Sequence, residues 1–564
     1  MLLAVAVVAV AISSGCTVAA EPRAKLTATG AVLLDGKPFL PIFVWAQPSS
    51  LMAFHKDLGI NTMHPGEKAE TDPPRAYLDK LQAAGMMGLV NMELFSDDLK
   101  GHPALLAWTV EHEPDVAQKP AFEADLSGDA TVIWIEGEAA TKSTLTRSSW
   151  LDVKVPQLSG KRWLTSEKEG TGDAVYQFEA KAAGTYTLWV REFNKNWANP
   201  TRWQLDGGQA KETPRSLRAE AVVNLGGGRG VGWANYGQVE LAKGKHTLTL
   251  SIVPGRTAGK PDKEPAKEAI WAVDALCFTQ AETYPPAKRL EPMPKRLPDV
   301  EKEHYQKIKA ADPDALTWNI LTAGFFGPYH ESYKLPMHYY EGFVKWTDVV
   351  TFDHYPVTGW NRPDRLPEVG LATRQLVSMC RPNEPVWTIV EASDQDLAWT
   401  AKETRGPTDE EMRAEVWSAI AGGAKGIGYF TIAFNPFRWN NLTDDVKAEL
   451  KRTNGQLTEL AGPIVLGDTD GKVIVTGDDT DDKAAAGHAI QVIRKQYEGK
   501  TYVIAVNVTR QAVKPTFQLQ PSLATGTVTA WKENRTLAFT KNKFTDRFKP
   551  LEVHVYVLEW EEYR

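Results

Sequence analysis

Three short stretches carry the residue types that acid–base or nucleophilic chemistry requires: Glu111-His112-Glu113-Pro114-Asp115, Asp353-His354-Tyr355-Pro356 and Glu391-Ala392-Ser393-Asp394. Each follows an apolar run of strand character, so each reads as the first turn of a loop at a strand's end. Two carboxyl groups meeting over a sugar could cleave a glycosidic bond. One protonates the leaving oxygen as an acid, and the other, ionised, attacks the anomeric carbon or activates water. Glu113 and Glu391 are the pair read as catalytic, with Pro114 ending the strand and holding Glu113 at a rim. Structural roles compete: Glu113 could pair with a nearby Lys or Arg, Glu391 could cap the following helix, and Glu111 reads as a structural partner. The histidines lack the His-x-His or His-Glu-x-x-His spacing of a metal centre, so no cofactor is expected in the chemistry.

The elements that must position these residues follow a strand–helix rhythm. Strands are expected at 38–44, 60–63, 87–91 and 105–110, and again at 315–320, 348–353, 386–390 and 426–432. Helices are expected at 51–58, 75–84, 299–310, 366–380, 410–421 and 445–460. Eight strands in two pieces, 30–125 and 295–465, fit an α/β fold of the (β/α)8 TIM-barrel type, whose strand-end loops converge on one face. An open doubly wound sheet competes, but the first turn is not Gly-rich. Between the pieces, at 130–283, alternating strands with Gly-rich turns predict an inserted antiparallel β-sandwich, and strand signals over 468–564 predict a C-terminal β-sandwich.

The run from His102 to Trp108 (HPALLAW) with Glu113-Pro114-Asp115, the Asp35–Phe39 stretch (DGKPF) and the Leu58–Asn61 stretch (LGIN) together resemble the large clan of retaining (β/α)8 glycoside hydrolases. The resemblance implies an acid/base at Glu113 after strand four and a nucleophile at Glu391 ending strand seven. It implies double displacement on a poly- or oligosaccharide. That clan usually carries Asn before the acid/base, where this chain has His112, so an imidazole takes the place of the sugar contact. Tyr355, with Asp353 beside it, fits the clan's Tyr that donates to the nucleophile. Trp45, Trp360, Trp387 and Trp439 lie at or beyond strand ends, and Trp45 and Trp439 are read as sugar-stacking platforms. The second reading, kept open by His112, is a non-catalytic surface glycan-binding lipoprotein with a degenerate barrel.

The insertion interrupts the loop after Glu113, beside the expected cleft. It begins with Glu136 and Glu138, two apart on an expected strand and so on one face, and ends on a strand bearing Asp274. Three carboxylates meeting there would call for a hard cation, and the pattern resembles jelly-roll carbohydrate-binding modules with a structural calcium ion.

At the N-terminus an apolar run over residues 2–12 precedes Ser13-Ser14-Gly15-Cys16. It is too short for a membrane span and fits the core of a signal peptide over 1–20. A small residue before Cys16 resembles a bacterial lipoprotein signal. The chain is therefore expected to be exported, as a secreted, periplasmic or outer-membrane protein, touching a membrane only through a lipid at Cys16. A net charge of −7 without a long basic stretch excludes nucleic acid as a partner. Three cysteines exclude a disulfide framework and leave Cys277 and Cys380 as buried free thiols.

Overall fold

Parallel strands need both faces covered, and this chain supplies short apolar strands each followed by a covering segment. The computed structural model describes residues 24–559 apart from 66–71, 119–120, 129–130, 146–149, 167–171, 195–197, 214–218, 227, 254–269, 289, 327–334, 395–404, 435, 470 and 521–525. The expected signal segment and Cys16 lie outside the described residues. Among the described residues no helix is long and apolar enough to cross a membrane. Two units are present: Met1–Val116 with Pro294–Arg564, and Ala117–Met293.

In the first unit eight parallel strands close into a barrel: β1 (Ile42–Val44), β2 (Thr62–Met63), β3 (Met87–Asn91), β4 (Leu105–His112), β5 (Thr317–Thr322), β6 (Val349–Asp353), β7 (Val386–Glu391) and β8 (Ile427–Phe430). Its helices are α1 (Met52–Asp57), α2 (Pro74–Ala84), α3 (Pro298–Ala311), α4 (Met337–Lys345), α5 (Glu368–Met379), α6 (Asp409–Gly422) and α7 (Asp444–Glu459). The eight-strand expectation holds. Strand β5 lies two residues further along than the pattern suggested, and α4 went unread. After β3 two 3-10 turns, Met92–Leu94 and Asp97–Leu99, stand where a helix would.

The barrel interior is an aromatic plug. Trp318 meets Phe43 edge-on at 5.4 Å and Trp387 at 5.9 Å, and its Nε1 donates to Thr109 Oγ1 at 2.7 Å. Trp387 is fully buried in this plug, so it is core and not a sugar platform. Gly428 makes room for the plug, since a Cβ there would stand 2.4 Å from Phe43 ring carbons and 2.9 Å from Ile389 Cγ1.

The C-terminal sandwich packs a three-stranded sheet (Lys472–Thr476, Thr516–Gln520, Lys543–Thr545) against a five-stranded one that includes Lys500–Asn507 and Val553–Glu559. Phe544 joins them, 4.9 Å from Phe517 and 4.8 Å from Tyr556. Arg510 reaches from this region to Glu411, which also pairs with Arg405 and caps α6 through Thr408.

The second unit is a sandwich of a five-stranded and a six-stranded antiparallel sheet, with Tyr176, Leu188, Trp203, Leu248 and Phe278 in its core. Its carboxylates depart from the calcium expectation. The strand Val132–Glu136 ends at Glu136, and Glu138 lies in a 3-10 turn, so the two do not share a strand face. Asp274 is fully buried and already has a cation: Arg191 pairs with its Oδ2 while the Ser159 amide donates to Oδ1 at 2.9 Å. Glu136 Oε1 accepts from Ser159 Oγ and Trp134 Nε1, both at 2.8 Å. The Arg191 guanidinium also lies 3.8 Å from the Phe122 ring centre. Among the described residues no three His, Cys, Asp or Glu are placed to hold a metal. Arg191 thus meets the charge of Asp274, while Glu136 Oε2 is buried without a hydrogen-bond partner and lies with Glu138 Oε1 beside Gly160. Of the two free thiols, Cys277 is buried as expected, whereas Cys380 is only partly so.

Two outcomes follow. Gly428→Ala overpacks the plug and destabilises the barrel by about 1–3 kcal/mol, read as a lowered unfolding midpoint. Arg191→Ala leaves the buried Asp274 carboxylate without its counter-charge, costing about 3–5 kcal/mol, read as a lowered unfolding midpoint.

Candidate active site

Strand β4 delivers three polar residues to three destinations. A register shift between β4 and β5 turns Glu111 outward, where Arg296 donates to it at 2.8 Å and His304 Nδ1 lies 3.2 Å away. Glu111 is thus the structural partner the sequence suggested. His112 is exposed and its ring stacks on Trp45 at 5.0 Å. Glu113, half-buried, has a left-handed backbone at φ 47°, a conformation uncommon for Glu, and its amide donates to Ile320 O at 2.7 Å.

Two residues on, Asp115 locks this turn to β5. Its carboxylate accepts from Thr322 N at 2.9 Å and Thr322 Oγ1 at 2.7 Å, and burial pushes its pKa up to about 7. Thr322 stands in register with Asp353 on β6. The path Glu113–Asp115–Thr322–Asp353 therefore sets one carboxyl group against another across β5.

Asp353 lies beside Glu113, and the Tyr355 hydroxyl donates to Asp353. Burial, and then the charge of Glu113, hold Asp353 well above the ordinary carboxylate range. Burial and these neighbouring carboxylates raise the Tyr355 hydroxyl as well, which keeps it a donor.

A flat apolar floor adjoins the pair. Trp45 stacks near Phe430 at 5.8 Å and near His64 at 6.2 Å, while Tyr355 packs on Phe430 at 5.2 Å. Burial lowers the His64 pKa to about 3, so this imidazole is neutral, with Nε2 at 3.0 Å from Asn91 Oδ1. Trp439 packs on the same cluster as Trp45, its carbonyl held by Gln47 Nε2 at 3.0 Å and Thr431 Oγ1 at 3.1 Å.

Glu391 departs from its expected place. It is fully buried at the end of β7 and does not open onto the mouth. Its Oε1 accepts from the Val357 amide at 2.6 Å and its Oε2 from the Thr358 amide and hydroxyl. Glu415 on α6 lies near it with both carboxyl oxygens buried and without a hydrogen-bond partner, and burial raises the pKa of both carboxyl groups. Nor is it the cap of α6, a role taken by Thr408. The loop after β6 folds back over this carboxylate, which a strand-by-strand reading does not reveal. His354 likewise turns from the mouth, 3.6 Å from Glu368. Glu415 escaped notice, although an acid inside the apolar run of α6 was a signal for a buried partner. Glu136, Glu138 and Asp274 lie in the second unit, where Glu136 accepts from Ser159 and Asp274 pairs with Arg191.

Residues 295–459 match the sequence model of a glycoside hydrolase family described as β-galactosidase, family 42. No curated protein matches the chain. Among solved structures, an Anoxybacillus α-amylase is 13% identical with a TM-score of 0.31, covering 48% of this chain and 58% of the amylase. A family 42 β-galactosidase from G. stearothermophilus is 10% identical with a TM-score of 0.32, covering 46% of this chain and 66% of the enzyme. A family 35 carbohydrate-binding module from Cellvibrio japonicus is 15% identical with a TM-score of 0.19, covering 27% of this chain and 99% of the module. The chain thus spans little more than half the length of the amylase it matches. It is a (β/α)8 barrel whose residues 295–459 are similar to glycoside hydrolase family 42, with an antiparallel β-sandwich inserted after the fourth strand.

Proposed function

We propose that this chain hydrolyses O-glycosidic bonds of an oligo- or polysaccharide at the barrel mouth, with β-galactosides the first class to test. The observation that carries this is two carboxyl groups together at the strand ends, half-buried Glu113 and, beside it, Asp353, whose carboxyl burial holds well above the ordinary range. An acid and a carboxylate kept apart in charge at one place are what glycosidic cleavage consumes. Glu113, on the more open β4 rim, gives the proton to the leaving oxygen. Trp45 and Trp439 offer apolar faces to a sugar ring, and exposed His112 offers ring nitrogens to its hydroxyls. The match over residues 295–459 supports the substrate class and suggests the first sugar.

The burial of Glu391 favours a second reading, a barrel that binds glycans without cleaving them. Sugar release from a polysaccharide panel and from aryl β-galactosides separates the two. In the hydrolase, Glu113→Gln lowers kcat/KM by about 10²–10⁴-fold. Equal glycan binding by parent and variant, with turnover by neither, establishes the binder. Asp353 must stay neutral beside Glu113, so activity falls as pH rises through its raised pKa. The alkaline limb of kcat/KM therefore lies above the ordinary carboxylate value of about 4, and a limb at that value counts against the pair.

A further inference from the structure

We infer that the hairpin after β8 is a further sugar platform: Phe434 and Phe437 stack on the units of a glycan beyond the one held at Trp45, and so select a chain over a single glycoside. This rests on the sugar-acting reading of the barrel mouth and deepens it by naming the residues that read substrate length. The hairpin is formed by Ala433–Phe434 and Phe437–Arg438. Phe434 stands directly opposite Phe437, and residues so opposed in an antiparallel pair project from the same face. The two phenyl rings are therefore neighbours. They are 48% and 52% exposed, and among the described large apolar side chains none is more exposed than Phe437. Single apolar side chains at a surface are ordinary, but two aromatic rings paired on one hairpin make a patch, and such patches mark contact surfaces.

Two separate contacts join this patch to the floor of the candidate site. Phe434 lies 6.0 Å from Phe430, whose ring is 5.8 Å from Trp45 and 5.2 Å from Tyr355. Phe437 meets Trp439 edge-on at 4.5 Å. The aromatic surface thus extends from Tyr355 and Trp45 outward to the hairpin. The arm is braced at its base. The Asn441 amide donates to Thr431 O at 2.9 Å, Arg438 donates to Asn441 Oδ1 at 3.3 Å, and Thr431 Oγ1 donates to the Trp439 carbonyl at 3.1 Å. A platform fixed before binding loses little conformational freedom when its ligand arrives. The occupant is a sugar ring of the same glycan, because the patch continues the floor on which the first ring lies. A phenyl face covers the C–H face of a sugar and leaves the hydroxyls at the ring's edge in water.

Chain length is the readout. Binding of β-linked galacto-, gluco- and manno-oligosaccharides of increasing length, from disaccharides upward, is measured by calorimetry on the full chain carrying Glu113→Gln, and kcat/KM is measured on the same series with the parent. Affinity and kcat/KM should climb with length. Phe434→Ala and Phe437→Ala should each flatten the climb, lowering the ratio of the longest to the shortest oligosaccharide by about three- to ten-fold. Phe437→Trp, which enlarges the flat face, should keep or steepen the climb, whereas Phe434→Leu, apolar but not flat, should behave as the alanine variant does. Turnover without dependence on length, or a dependence that both alanine variants keep, overturns the platform and leaves the hydrolase reading standing. Length-dependent binding that the alanine variants lose, with no turnover by the parent, supports the platform and overturns the hydrolase reading. Neither binding nor turnover with any member of the series overturns both. A dimer in sedimentation that the double alanine variant dissolves assigns the patch to a second copy of the chain and also overturns the platform.

Discussion

The burial of Asp353 beside Glu113 is the constraint around which the barrel mouth is arranged. Desolvation and the neighbouring charge both favour the neutral form of Asp353, which spares the mouth two ionised carboxylates side by side. Holding them together needs a scaffold stiffer than side-chain rotamers. Asp115 supplies it by gripping Thr322, so that the β4 turn and the end of β6 are fixed to the strand between them.

A second carboxyl pair, Glu391 with Glu415, lies behind the mouth and works on structure. Desolvation is the largest influence on both groups, and the Val357 and Thr358 donors compensate it at Glu391. The cost is offset because the loop after β6, which carries Tyr355, is fastened at its middle. Arg191 does comparable service in the second unit, where one guanidinium meets Asp274, the Gln157 carbonyl and the Phe122 ring. Both cases follow one rule: a charge taken from water is kept only where fixed donors or a fixed counter-charge replace the lost hydration.

The barrel was legible because eight apolar runs with helical spacing between them leave few other closed arrangements. The destinations of Glu111 and Glu113 were legible from the proline that follows and from their positions at a strand's end. What stayed hidden depended on contacts between segments far apart in sequence. Nothing local to Glu391 tells that residues 357 and 358 fold back onto it, and nothing local to Asp274 tells that Arg191 lies opposite. Helix α4 was hidden by its aromatic composition, Met-His-Tyr-Tyr-Glu-Gly-Phe-Val-Lys, whose residues are middling helix formers. Trp387 shows the limit of residue type alone, because a tryptophan near a strand's end serves equally well as interior filling.

The left-handed main chain at Glu113 means that this side chain is aimed by its peptide bonds before any rotamer is chosen. With Pro114 behind it and the Ile320 carbonyl holding its amide, the residue has little freedom to pivot. Evolution at this position is thereby cornered: glycine would relax the torsion but forfeit the carboxyl, and aspartate would suit the torsion but fall one methylene short. The bent backbone and the length of the acid must therefore be inherited together.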